Sequence, residues 1–120
     1  MPVSLFERLG GAENVKKIAS SLVDNHFSNP TISTRFVGSV DADRLKMFAT
    51  EFITAGTGGP EAYSGRDMLA THKGMNISAA EFMAVLDDAL DALSSNGVGQ
   101  PEQEEMLFIL YSMRADVVLV

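Results

Sequence analysis

Apolar side chains in this chain return every three to four residues, four times over, and no segment sustains the alternation of a half-buried strand. Val15, Ile18, Ala19, Leu22 and His26 share one stripe, and Leu45, Phe48, Ala49, Phe52 and Ile53 a second. Phe82, Val85, Leu86, Ala89, Leu90 and Leu93 make a third; Met106, Ile109, Leu110, Met113 and Val117 make a fourth. Residues at this spacing lie on one face of a helix, so the pattern predicts four amphipathic helices and an all-α fold. Start signals fall where the stripes begin. Asp41 suits an N-cap, and Ser78 with Glu81, just before Phe82, forms a capping-box pattern. Pro101 suits a first helical position, with Glu102, Glu104 and Glu105 near the positive end of the helix dipole. Gly10-Gly11 separates a short first segment from the first long helix; Asn29-Pro30 closes that helix and Asn96-Gly97 the third. The longest irregular stretch is 54–65, rich in glycine, followed by a short helical piece over 66–72. At 120 residues the chain reads as a single domain spanning 1–120.

Composition removes several functions. Nine basic against sixteen acidic side chains give a net charge of −7, which repels phosphate backbones and anionic bilayers, so neither nucleic acid nor membrane is an expected partner. There is no Cys, which excludes a disulfide framework, a thiolate metal site and a Cys nucleophile. His26 and His72 are the two histidines, too few for an all-protein transition-metal site, which usually takes three or four ligands. No basic segment leads into an apolar run at the start, and no apolar stretch reaches the ~20 residues of a membrane span. The expected location is cytoplasmic.

Few motifs are left to carry chemistry. The glycine stretch lacks the Lys-Ser/Thr ending of a phosphate loop and follows no strand, so its glycines are read as turn residues. Asp87, Asp88 and Asp91 are read as the outer, solvated face of the third helix, and Glu102 to Glu105 as a solvated first turn. His72, in MLATHKGMNI, admits two readings. It is either a helix-terminal residue favoured by the dipole or an axial ligand to haem iron, where the porphyrin supplies the other four donors. Spacing leaves both open.

The order SLFERLGG, Phe36-Val37-Gly38, GGPEAYSGRDM, HKGMNIS and then a helix opening at Phe82 closely resembles the truncated haemoglobins, most of all their first group, the short two-over-two globins. The resemblance runs from Ser4 to the closing RADVV. It implies a two-over-two helical sandwich around one haem b (iron protoporphyrin IX), with the family's glycine pairs at Gly10-Gly11 and Gly58-Gly59. It places the iron ligand on His72 and the haem-facing aromatic on Phe36. Tyr63, Met68, Ile77 and Phe82 match positions lining the proximal side or the haem edge, and Arg44 matches a residue that pairs with a haem propionate. The ligands implied are oxygen, carbon monoxide and nitric oxide, with a reductase as a possible protein partner.

On the distal side the chain departs from the family. Leu22-Val23 stands where a Phe-Tyr pair is usual, Ala49 where many members carry glutamine, and Arg35-Phe36 where a Phe-Phe pair is frequent. Aligned on Arg44 and Phe52, the distal helix turns Leu45, Phe48 and Ala49 toward the ligand. With Val23 these make a pocket without a hydrogen-bond donor. A charge-assisted hydrogen bond contributes roughly 1.5–3 kcal/mol, so its loss speeds oxygen release by roughly ten- to a hundred-fold. In an alternative register, slipped by one residue, Lys46 takes the place of Leu45. His26, one turn from Val23, is read as a buried structural histidine, with a second-shell or iron-ligating role as the alternative. Three functions are weighed on this basis. Reversible binding of diatomic gases leads. Nitric oxide dioxygenation ranks below it, because a donor-free pocket does not favour a long-lived oxygen complex. A haem-free helical interaction module ranks last, given that His72, Phe36, Tyr63 and Met68 are all kept.

Overall fold

Six α-helices are present among the described residues of a computed structural model, which are 3–36, 41–60 and 68–120. They are α1 (Leu5–Arg8), α2 (Gly11–Ser28), α3 (Ala42–Gly56), α4 (Met68–His72), α5 (Ala79–Ser95) and α6 (Gln100–Tyr111). Short 3₁₀ turns span Ser33–Phe36 and Arg114–Asp116. Tyr63, Val37 and Gly38, and positions 66 and 67 of the expected short helix, lie outside the described residues. The helix α2 packs on α3 and α5, and α5 packs on α6, a two-over-two arrangement.

The caps largely follow the sequence. The Asp41 side chain accepts from the amides of Asp43 and Arg44 at 3.0 and 3.3 Å. Ser78 and Glu81 satisfy each other's backbone N–H, both at 3.1 Å. Three boundaries differ. Residues 54–56, expected to be irregular, complete α3, whose end is closed by Thr57 Oγ1 donating to the Ile53 carbonyl at 2.6 Å. In α6, Gly99 is the N-cap and Gln100 the first helical residue, so Pro101 stands one place later than expected; its missing N–H costs nothing there, because the first amides of a helix have no internal partner. That helix also stops at Tyr111, before Met113 and Val117 of the fourth stripe. The Ser112 hydroxyl donates to the Ile109 carbonyl, a local bond that competes with helix continuation. Val117 is buried from the chain beyond the 3₁₀ turn instead.

Two glycines are required by geometry. Gly10 joins α1 to α2 at φ +111°, and a Cβ there would lie 2.6 Å from that of Asn14. At Gly59 a Cβ would meet Phe6 Cδ1 at 2.8 Å and the Thr54 carbonyl at 2.9 Å, so only glycine lets α1 lie against the end of α3. The Phe6 amide seals that contact by donating to the Thr57 carbonyl at 2.9 Å.

The core has two centres. The larger gathers Leu5 and Leu9 of α1, Val15, Ile18 and Ala19 of α2, Ile53 of α3, Ala92 and Leu93 of α5, Val98, and Met106 of α6. The smaller holds Ile77, Phe82, Leu86 and Val117, with Met68 and Met75 packed on it. Each large aliphatic or aromatic side chain buried in these clusters contributes roughly 1.5–3 kcal/mol. The end of the chain braces the segment after α4. Val120 accepts from the amides of Gly74 and Asn76 at 3.1 and 3.2 Å, and the Leu119 amide donates to the Ile77 carbonyl at 2.9 Å. No helix among the described residues is long and apolar enough to cross a membrane.

Candidate functional site

A cleft of about 640 Å³ opens between α2, α3 and α4. Leu22, Val23, His26 and Phe27 of α2 line it, with Phe36 from the first 3₁₀ turn, Leu45, Phe48, Ala49 and Phe52 of α3, and Met68 of α4. Its walls back onto both core centres, since Leu22 and Ala49 pack on the larger and Met68 on the smaller. A second, wholly apolar cavity of about 70 Å³ adjoins it among α2, α3, α5 and α6, and shares Leu22, Ala49 and Phe52 with the cleft.

Six of the residues singled out from the sequence thus meet in one place: Val23, Phe36, Leu45, Phe48, Ala49 and Met68. Others stand apart. Ile77 and Phe82 are buried in the smaller core centre, around Met68 rather than on the cleft surface. Arg44 is exposed, with its guanidinium 5.5 Å from the centre of the Phe48 ring, a cation–π contact. Lys46 is turned away from the cleft; its Nζ pairs with Asp24 Oδ1 at 2.9 Å.

His72 closes α4 one turn after Met68, on the same helix face. Its Nδ1 lies 2.8 Å from the Met68 carbonyl oxygen. A carbonyl only accepts, so Nδ1 carries the hydrogen and Nε2 keeps its lone pair. Metal-binding imidazoles are oriented in this way, through the ring nitrogen that does not bind the metal. No group of three or more His, Asp and Glu side chains placed to hold an ion occurs among the described residues. An iron at His72 therefore depends on donors from a ligand. The apolar walls of the cleft and the oriented imidazole of His72 fit a porphyrin.

The other histidine is placed differently. His26 lines the cleft, its ring stacked on Phe36 with centroids 5.9 Å apart and planes 9° from parallel. Its Nδ1 lies 2.7 Å from Asp88 Oδ2. Asp88 was expected on the outer face of α5, yet it is only 9% exposed. Ala84, one turn earlier, is buried as well, so α5 carries a second covered stripe that the apolar periodicity does not mark. The carboxyl is covered but engaged, as a buried polar group has to be. Asn29 Nδ2 donates to Asp88 Oδ1 at 3.1 Å, and Asn25 Nδ2 donates to the Asp88 backbone carbonyl at 3.1 Å and to Asp91 Oδ2 at the same distance. The expectation of a cleft lined only by apolar groups is corrected at this one position.

Arg35, read from the sequence merely as a lost aromatic, holds the cleft margin together. Its Nε and Nη2 donate to Glu81 at 2.7 and 2.9 Å, and Nη1 donates to the Met75 carbonyl at 2.7 Å. One guanidinium thus links the turn after α2, the loop after α4 and the start of α5. The Arg35 hydrogen bonds, followed by that of the Ser78 amide, hold the Glu81 carboxyl down at about 2.

Comparison with known proteins agrees with this architecture. Residues 4–118 match the family model of the bacterial-like globins. A group 1 truncated hemoglobin of Mycolicibacterium paratuberculosis is 31% identical over 88% of this chain and 77% of its own length. The group 1 truncated hemoglobin of Tetrahymena pyriformis is 30% identical over 97% of this chain and 95% of its own. The crystal structure of the truncated hemoglobin from Tetrahymena pyriformis in its Fe(III) form superposes with a TM-score of 0.93, at 25% identity, over 98% of this chain and 100% of that one. The two-over-two helices agree with that family, and the chain belongs to the truncated haemoglobins of the first group, which are haem-binding globins.

Proposed function

We propose that this chain binds oxygen, carbon monoxide and nitric oxide reversibly at one haem b held by His72, beneath an unusually apolar distal wall. The observation that carries the reading is the pairing of two features across one cleft. On α4, the His72 ring is fixed by the Met68 carbonyl with Nε2 left to ligate. On α2 and α3, Val23, Leu45, Phe48 and Ala49 line the surface without a hydroxyl or amide among them. Phe36 and Met68, which both line the cleft, supply apolar surface to the macrocycle, and Arg44, exposed at the start of α3, is available to a propionate. When bound, the haem supplies the iron to which a diatomic gas attaches. His72 would hold the iron through Nε2, and Val23, Leu45, Phe48 and Ala49 would give the gas an apolar wall.

The same wall favours gas binding over nitric oxide dioxygenation. Oxygen bound in the cleft carries partial negative charge, and a donor toward it contributes roughly 1.5–3 kcal/mol. Neither Val23 nor Ala49 has one to give. Rapid oxygen release suits exchange or sensing better than a reaction that needs oxygen to stay. Haem-reconstituted protein is expected to show a Soret band that collapses or shifts in His72→Ala, and a fast oxygen dissociation phase in stopped flow. An unchanged Soret band in His72→Ala rejects the ligand assignment, and slow oxygen release in the unaltered protein rejects the donor-free wall.

A further inference from the structure

The histidine on the far wall of the cleft has a use that the gas-binding reading leaves out. Asp88 Oδ2 is an acceptor 2.7 Å from His26 Nδ1, so the neutral ring carries its hydrogen on Nδ1 and its lone pair on Nε2. Asn29 donates to the other carboxylate oxygen at 3.1 Å, and the ring plane is set by stacking on Phe36. Nε2, on the opposite edge of the ring, has no hydrogen-bond partner among the described residues. No buried side-chain nitrogen or oxygen among them lacks a partner, so Nε2 is reachable, and the space His26 borders is the cleft. Two consequences follow. Toward oxygen, which needs a donor, neutral His26 offers a lone pair and adds nothing. Toward a molecule that arrives carrying a proton, it offers an oriented base, with a carboxylate beside the positive charge that proton transfer creates. A carboxylate that fixes the tautomer and steadies the resulting imidazolium is the arrangement used for general bases.

We infer that the His26–Asp88 pair is a base facing the ligand cleft, which takes the proton of a small weak acid whose anion binds there. The inference rests on the haem reading above. The acids that fit have one or two heavy atoms and a transferable hydrogen, as in hydrogen cyanide, hydrogen sulfide or hydrogen peroxide. In the step, the H–X bond breaks and its electron pair stays on X. The proton forms a new bond to Nε2, and the anion X⁻ takes the ligand position. Charge balances between the anion and the imidazolium, and no oxidant or reductant is consumed. The pocket thereby separates two ligand classes: apolar gases pass a wall that ignores them, whereas protic ligands find a partner.

The test uses ferric, haem-loaded protein and cyanide at a pH where it is present as hydrogen cyanide, with association followed at the Soret band. Positioned acid–base groups contribute typically about 10²–10⁴-fold. His26→Leu should slow cyanide association by about 100-fold. Asp88→Asn, which can still accept from Nδ1 but carries no charge, should slow it by about 10-fold. Carbon monoxide binding to the ferrous form should slow far less than cyanide binding in both, because that ligand brings no proton. His26→Gln keeps a polar side chain of similar reach without a base and should match His26→Leu, which guards against a folding defect. In the ferrous carbon monoxide complex, ¹⁵N NMR should find the His26 hydrogen on Nδ1. An unchanged cyanide rate, an equal slowing of cyanide and carbon monoxide, or a hydrogen on Nε2 overturns the inference. Such results with a normal Soret band leave the haem reading standing. Absence of a Soret band in the unaltered protein removes that reading and this one with it.

Discussion

Both histidines of this chain are held by Nδ1, but by different acceptors, and it is His26 that lines the cleft. His72 is held by a backbone carbonyl within its own helix, four residues back. His26 is held by a carboxylate from α5, across the packing of α2 on α5. A carbonyl fixes the tautomer and stays neutral, which suits a nitrogen that is to bind a metal. A carboxylate does the same and also steadies a proton gained at the far side of the ring. Identical side chains are thus given different work by what stands behind them. The cost differs too. The carbonyl anchor comes with the helix, whereas the carboxylate has to be desolvated and is safe only while every partner remains.

The comparison can be broken most severely at His72. On the proposed haem reading His72→Ala removes the ligand itself, and since losing a supporting contact alone reduces metal affinity roughly 10–100-fold, haem affinity should fall by more than that, read by haem transfer to an acceptor protein. Next in size is Asp88→Ala. It leaves His26 and Asn29 with unmet polar groups in a covered site, and should destabilise the protein by about 2–4 kcal/mol in urea unfolding. No side-chain substitution can delete the His72 anchor in the same way, so this asymmetry is itself a check on the comparison. Val23→Tyr supplies the missing hydroxyl and should slow oxygen dissociation roughly ten- to a hundred-fold, with carbon monoxide affected much less. The smallest effect is at Glu81. Its carboxyl is lowered from 4.5 to about 2, so the stability it gives is complete above pH 4.5 and is lost as pH falls toward 2. Glu81→Gln should flatten the acid limb of the stability curve in that window and cost about 1 kcal/mol at neutral pH.

Much of this molecule was legible because its signals are local. The stripes of α2, α3 and α5, the Asp41 cap and the Ser78–Glu81 box each need fewer than twenty neighbouring residues to be seen. The motif around His72 singled out the cleft, and the Val23, Leu45, Phe48 and Ala49 wall followed from register on a helix. What stayed hidden is the set of polar contacts that close across the fold. His26 and Asp88 are 62 residues apart, Arg35 and Glu81 46. A histidine on the apolar stripe of α2 does imply a partner, since buried polar groups are hydrogen-bonded. Which carboxylate answers it depends on how α5 is rotated against α2, and the second covered stripe through Ala84 and Asp88 is broken by a charge. The end of α6 was hidden for the opposite reason: Met113 and Val117 keep helical spacing after the helix has stopped.

The Arg35 contacts bear on how the cleft keeps its shape. One guanidinium ties the turn after α2, the loop after α4 and the first turn of α5 at the margin of the cleft. Phe36, next in sequence, lines that cleft, so one substitution at Arg35 loosens three separate stretches of chain and the ring beside them at once.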